Sequence, residues 1–156
     1  MKNRARIFLT LLSMILLVSV FISPTTAANI IDEEFYDYGI YSNGWWLPPR
    51  EKDDASPHYL YLTDCDVNTV KVSSNGRESY AQSSSGKNLT IANGQYVSYV
   101  TCHVGTKYSI SNGVYEAGYP WAELFFQRDI GWWGFSITGK WSPDSSGRYT
   151  YAEKYL

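Results

Sequence analysis

Tyr96–Val104 reads YVSYVTCHV. In an extended chain, successive side chains point to opposite faces. Val100, Cys102 and Val104 then share one face with Tyr96 and Ser98, while Val97, Tyr99, Thr101 and His103 share the other. Valine and tyrosine favour the half-buried pleated surface of a sheet over a helix. This stretch predicts a β-strand with Cys102 on the core side, and its pattern recurs along the chain. His58–Thr63 (HYLYLT) alternates bulky residues in the same way. Val67–Ser73, Arg77–Ser83, Leu89–Ala92, Lys107–Ile110, Trp121–Gln127, Trp132–Trp141 and Arg148–Ala152 follow as further short strands. Asn-Gly pairs, which tolerate positive φ, mark turns at 75–76, 93–94 and 112–113. Ser142-Pro143-Asp144 is a type I turn signal. Gly118 and Pro120 argue against a long helix within Val114–Leu124. About eight short strands with turns every 8–12 residues predict an all-β fold, an antiparallel β-sandwich.

The start of the chain is of another kind. Lys2, Arg4 and Arg6 precede a mostly apolar run, Ile7–Ile22, and then Pro24-Thr25-Thr26-Ala27-Ala28. Basic start, apolar centre and small residues are the three parts of a secretory signal. The run is short for a membrane span and no basic stop follows it. Residues 1–28 are therefore expected to be a cleaved signal peptide, residues 29–57 an irregular N-terminal arm with one strand around Tyr38–Trp46, and residues 58–156 the sandwich. No segment after the signal is apolar enough to cross a bilayer. Loss of three basic residues takes the 13 Lys and Arg to 10 against 15 Asp and Glu, and the net charge from −2 to −5. Such a chain is a poor partner for nucleic acid or for anionic headgroups. In an exported protein the two cysteines, Cys65 and Cys102, are expected to form one disulfide, worth roughly 4 kcal/mol in the chain-entropy account.

Chemistry is sparse. His58 and His103 have no metal-spaced partner, and there is no GxSxG, HExxH or P-loop pattern. Glu116 and Glu123 would be a glycosidase pair only by free choice among 15 acids. Asp64 with Asp66, and the acids of Asp32–Asp37, are hard-oxygen candidates for Ca²⁺ without EF-hand spacing. Asn88-Leu89-Thr90 is a glycosylation sequon. The reading assigns no catalytic residue, no metal and no cofactor. Gly44-Trp45-Trp46 and Gly131-Trp132-Trp133 are the distinctive words. In a regular strand each doublet points one ring inward and one outward. The outward rings either pair across strands or line a shelf for the apolar C–H faces of a sugar. Trp45, Trp46, Trp132 and Trp133 are thus the candidate ligand-binding residues.

YVTCHVGTKYSISNGVYEAGYPWAELFF (99–126) and KWSPDSSGRY (140–149) resemble small secreted proteins of Gram-positive bacteria, including lactococcin-type bacteriocins. The likeness covers roughly the last 60 residues and rests on turn words, so it carries over no functional residue. It implies a folded β-sandwich exported through the general secretion route and antagonistic to other cells. The functional expectation is a secreted binding protein without catalysis, bacteriocin-like or associated with the cell envelope. A cell-envelope component or a glycan is its expected partner. The alternatives are a glycan-binding module using surface aromatics and a secreted hydrolase.

Overall fold

A computed structural model describes residues 28–40, 44–82, 84–128 and 134–153. Among these there are thirteen strands and no helix, so the protein is all-β. The first sheet contains β1 (Glu33–Ile40), β12 (Phe135–Ser142), β4 (His58–Cys65), β10 (Lys107–Ile110) and β13 (Thr150–Tyr151), in that spatial order. Its pairs are antiparallel except β10 with β13. The second sheet is built on β11 (Trp121–Arg128) and β5 (Thr69–Arg77). On one side β11 pairs with β2 (Trp45–Trp46) and β3 (Arg50–Glu51); β5 pairs with β6 (Lys87–Asn88) and β9 (Val100–His103). A separate small hairpin joins β7 (Ile91–Ala92) to β8 (Gln95–Tyr96).

One apolar cluster draws side chains from both sheets. Phe35, Leu60, Leu62, Ile110, Ile137 and Trp141 come from the first, and Val70, Val72, Val100, Leu124 and Phe126 from the second. Burying side chains of this size contributes about 1.5–3 kcal/mol each, so this shared cluster holds the two sheets against each other.

The strand expected over Tyr96–Val104 is broken at 97–99. The Val97 N–H donates to the Thr90 carbonyl, and the Ser98 carbonyl accepts from Asn88 Nδ2. The chain thus leaves one ladder before joining another. Val100 and Cys102 then face the core, as the alternation implies, while His103 is exposed. The three Asn-Gly pairs also part company. Asn93 and Gly94, with φ of 51° and 73°, make the β7–β8 turn. Asn75 and Gly76 instead lie inside β5, opposite Glu123 and Ala122. Glycine is required there by space, because a Cβ on Gly76 would come within 2.7 Å of the Tyr119 ring.

The described residues of 29–57 are not an irregular arm. They supply β1 to the first sheet and β2 and β3 to the second. Their acids hid this: in the edge strand β1, Glu33, Glu34 and Tyr36 face solvent and Phe35 turns inward. Glu34 pairs with Lys140 at 2.7 Å. The segment is fastened by a buried polar cluster. Asp144, with no exposed surface, accepts from Lys52 Nζ through Oδ1 and from the backbone N–H groups of Asn29 (2.9 Å) and Asp53 (3.0 Å) through Oδ2. Lys52 Nζ also donates to the Ser56 carbonyl at 2.7 Å. Arg50 donates to the Trp141 carbonyl and to Asn29 Oδ1, both at 3.0 Å.

His58 lies beside this cluster and is fully buried. Its Nδ1 is 2.6 Å from the Pro143 carbonyl, which can only accept, so Nδ1 carries the proton. Nε2, 2.6 Å from Ser74 Oγ, then accepts from that hydroxyl. The ring links β4 in the first sheet to β5 in the second. Burial, then the charge of Lys52, lowers its pKa to about 3, and the bond to Pro143 opposes the shift.

The expected Cys65–Cys102 disulfide is not formed, and both cysteines are free. They sit in different sheets on strands that do not pair, Cys65 opposite Ile137 and Cys102 opposite Val70. Each packs against the shared core as a small apolar group. Burial raises both thiols, Cys102 well beyond Cys65.

Two expected outcomes follow from these buried groups. His58 has a lowered folded pKa, so its contribution is present above the unfolded value near 6.5 and is lost as pH falls. Denaturant titrations between pH 6.5 and 5, a window above most carboxylate titration, should show a loss of about 1.5–2 kcal/mol. His58→Gln should flatten that slope even if the variant starts less stable; an unchanged slope would rule out His58 as its source. The second outcome concerns the thiols. Unfolded protein should titrate two thiols with an aromatic disulfide reagent, whereas in the native protein Cys102 should be inert and Cys65 slow. Absence of any titratable thiol after unfolding would contradict the free-cysteine structure.

Candidate functional site

The Trp45-Trp46 doublet behaves as a strand requires. In β2, Trp45 lies opposite Phe126 and Trp46 opposite Phe125. Trp45 is half-buried and packs on Phe126 and Phe35, with ring centroids 6.1 and 6.0 Å away. Trp46 is on the other face, 37 % exposed, with its ring 4.3 Å from that of Phe125. Gly44 has φ of 82°, and a Cβ there would meet the Phe126 carbonyl oxygen at 2.3 Å. The glycine of the word is therefore obligatory, for conformation and for space. Trp132 and Trp133 lie outside the described residues.

Trp46 and Phe125 wall a groove of about 290 Å³ on the outer face of the second sheet. Its floor comes from alternate positions of β5: Lys71, Ser73 and Asn75, opposite Gln127, Phe125 and Glu123 of β11. The far wall is Asn88, Ser98 and Tyr99, with Ser85 and Gly86 at one end. Asn75 is held by donation from Nδ2 to Ser73 Oγ at 3.2 Å. Lys71 Nζ stands 4.6 Å from the Tyr99 ring centre. Asn88 Oδ1 accepts from the Thr90 N–H (3.0 Å) and hydroxyl (2.7 Å), so the sequon asparagine has a structural duty at the rim. The groove thus combines a paired aromatic wall with amides, hydroxyls and one ammonium, on a rigid ladder.

Glu123, next to this floor, is buried and committed. Oε2 accepts from Arg77 Nη1 at 2.6 Å and Oε1 from the Gly86 N–H at 3.0 Å. The pair holds Gly86 on the sheet, and a further bond joins Arg77 to the Gln82 carbonyl. Glu116 is exposed in the turn at 114–118. Asp66 Oδ2 accepts from the Ser136 N–H at 2.8 Å, which ties the end of β4 to β12. Among the described residues no three His, Cys, Asp or Glu side chains are grouped to hold a metal ion. No helix among them is long and apolar enough to cross a membrane.

A second cleft, of about 480 Å³, lies between Pro48-Pro49 and the edge-on pair Tyr80–Trp121. Of its charged groups Glu33, Arg50 and Glu51, the first two are paired with each other at 3.4 Å. The smaller groove has the richer set of polar side chains beside its rings. Of the residues singled out in the sequence, Trp46 lines this groove; Phe125, Ser73, Asn75 and Gln127 line it too and were not singled out, and Asn88 was noted only as part of a sequon. The alternation of Trp121–Gln127 could have placed Phe125 outward; the β5 residues were hidden by reading Ser74-Asn75-Gly76 as a turn.

No match was found among curated proteins or among solved structures. Residues 23–145 match the family model described as a protein of unknown function, DUF2712. That span is 123 of the 156 residues and includes every strand that borders the groove. The chain therefore belongs to the DUF2712 family.

Proposed function

We propose that this is an exported binding protein, a β-sandwich without catalysis that acts at the cell envelope, and that its groove at Trp46 and Phe125 takes a glycan. The observation that carries the reading is the paired aromatic wall beside the amide-bearing floor of β5. A pyranose presents C–H faces to rings and hydroxyls to amides at its edge. Mostly apolar walls with a few placed polar groups are the usual make-up of a ligand site. The rigid ladder under Ser73 and Asn75 keeps the ordering cost of binding low. The signal-like start of the chain supports export, and the resemblance of the C-terminal part to bacteriocin-like proteins supports action on other cells. The hydrolase alternative has no comparable support, because Glu123 is taken up by Arg77 and Gly86.

Calorimetry with soluble cell-wall and capsular oligosaccharides is the direct test. At least one class should bind, and Trp46→Ala should weaken it ten-fold or more at unchanged melting temperature. Trp45→Ala should act through stability, losing about 2 kcal/mol as a half-buried aromatic packed against the core. Equal binding by Trp46→Ala and the parent, or no binding by any oligosaccharide, would defeat the glycan reading. Growth inhibition of related bacteria by the purified protein separates an antagonist from an envelope-resident protein.

A further inference from the structure

We infer that hydrolysis of the Ala28–Asn29 peptide bond matures this protein, and that the new α-ammonium of Asn29 becomes an ion-pair partner of the buried Asp144. The inference rests on export, part of the functional reading above, but on none of the groove.

The geometry selects the bond. Small residues at 24–28 make cleavage after Ala27 and after Ala28 equally acceptable to a signal peptidase. Only the second cut puts the new terminus on the nitrogen that already points at Asp144 Oδ2 from 2.9 Å. Asn29 is held there on every side. Its Nδ2 donates to the Glu51 carbonyl at 3.1 Å, its Oδ1 accepts from Arg50 at 3.0 Å, and its carbonyl accepts from the Asp144 N–H at 3.3 Å. Cleavage removes one contact in exchange, the Ile30 N–H bond to the Ala28 carbonyl.

Charge favours the exchange. The charged groups bonded to Asn29 are Arg50, Glu51 (through its carbonyl) and Asp144, and those that interact with these partners are Asp32 and Glu33 beside Arg50, and Lys52, Asp53 and Asp54 beside Asp144. Six are carboxylates and two are cations. Burial and then the nearby Asp144 raise the Asp53 carboxyl, whereas the Asp54 carboxyl, against the effect of burial, is lowered by its bonds from Ser56. A third cation at Asn29 relieves the surplus of negative charge. The chemistry balances simply: water adds across the amide bond, Ala28 leaves as a carboxylate on the signal fragment, and the freed amine of Asn29 takes up a proton. A neutral N–H···carboxylate bond becomes a charge-assisted one, which is roughly twice as strong.

An α-ammonium paired in this way has its pKa raised above the unfolded value near 7.7–8.0. Its contribution is therefore complete below that value and is lost as pH rises through the folded pKa. The test begins with the full chain expressed in a secreting bacterial host, followed by the intact mass of the purified product. A product beginning at Asn29 is expected; one beginning elsewhere overturns the inference. The α-amino group, followed by the pH dependence of its labelling, should titrate at least about one unit above the ordinary range; an ordinary value overturns the ion pair. The Asn29 product should melt about 4 °C or more above the uncleaved full chain at pH 6.5, with the gap closing toward pH 10. Equal melting at pH 6.5 is the contrary result. Asp144→Asn should erase the gap; if that variant fails to fold, acetylating Asn29 in the parent product should erase it instead, and a surviving gap overturns the pairing. If the host exports nothing, the export reading fails, while the full chain cut in vitro by a purified signal peptidase still tests the ion pair.

Discussion

A carboxylate with no exposed surface is tolerable only when its oxygens are fully engaged. Asp144 meets that condition by drawing three donors from two distant places in the chain: Lys52 with the Asp53 N–H, and the Asn29 N–H. None of these lies within ninety positions of it. The cluster therefore forms only when the N-terminal segment lies across the end of the two sheets. That placement sets β1 beside β12 and β3 beside β11, and it positions Arg50 under the Trp141 carbonyl. His58 extends the same polar seam between the sheets, joining Pro143 to Ser74. A buried polar network has one geometry that satisfies all its members, whereas apolar contacts accept many. The seam supplies direction to a core that on hydrophobicity alone could pack in several ways.

The second sheet divides its labour by face. Leu124 and Phe126 of β11 and Val70 and Val72 of β5 enter the core. The intervening residues of the same strands carry the groove floor, Phe125, and the buried Glu123–Arg77 pair. Because the backbone ladder is shared, whatever stiffens the core also fixes the groove. Trp45 and Trp46 show this at the smallest scale, one ring holding the sheets together and its neighbour forming a wall. Membership of DUF2712 extends over the whole of this arrangement, so the seam and the groove belong to the matched span together.

The all-β class, most strand positions, the inward and outward rings of Trp45-Trp46, and the core-side setting of Val100 and Cys102 were legible from alternation, because a strand's period of two is a local property. Local signals also misled. Asn75-Gly76 has the letters of a turn, yet Gly76 is there because Tyr119 leaves no room for a Cβ. The acids of 32–37 look like an exposed arm, but an edge strand can turn Glu33 and Glu34 to solvent while burying Phe35. Two cysteines in an exported chain suggest a bridge, yet both are free, and each fills space against the shared core as a small apolar group.

By itself, then, the sequence determined what depends on neighbours in the chain: extended segments, the Asn93-Gly94 turn, an export-type start and the absence of familiar catalytic spacing. Tertiary structure decided what depends on partners far apart: the buried company of Asp144, the bridging role of His58, the commitment of Glu123, and the meeting of Trp46 and Phe125 beside Ser73 and Asn75 of β5. The physical reason is that side-chain direction along a strand follows from covalent geometry, whereas a buried charge or a binding wall needs groups that only long-range pairing brings together.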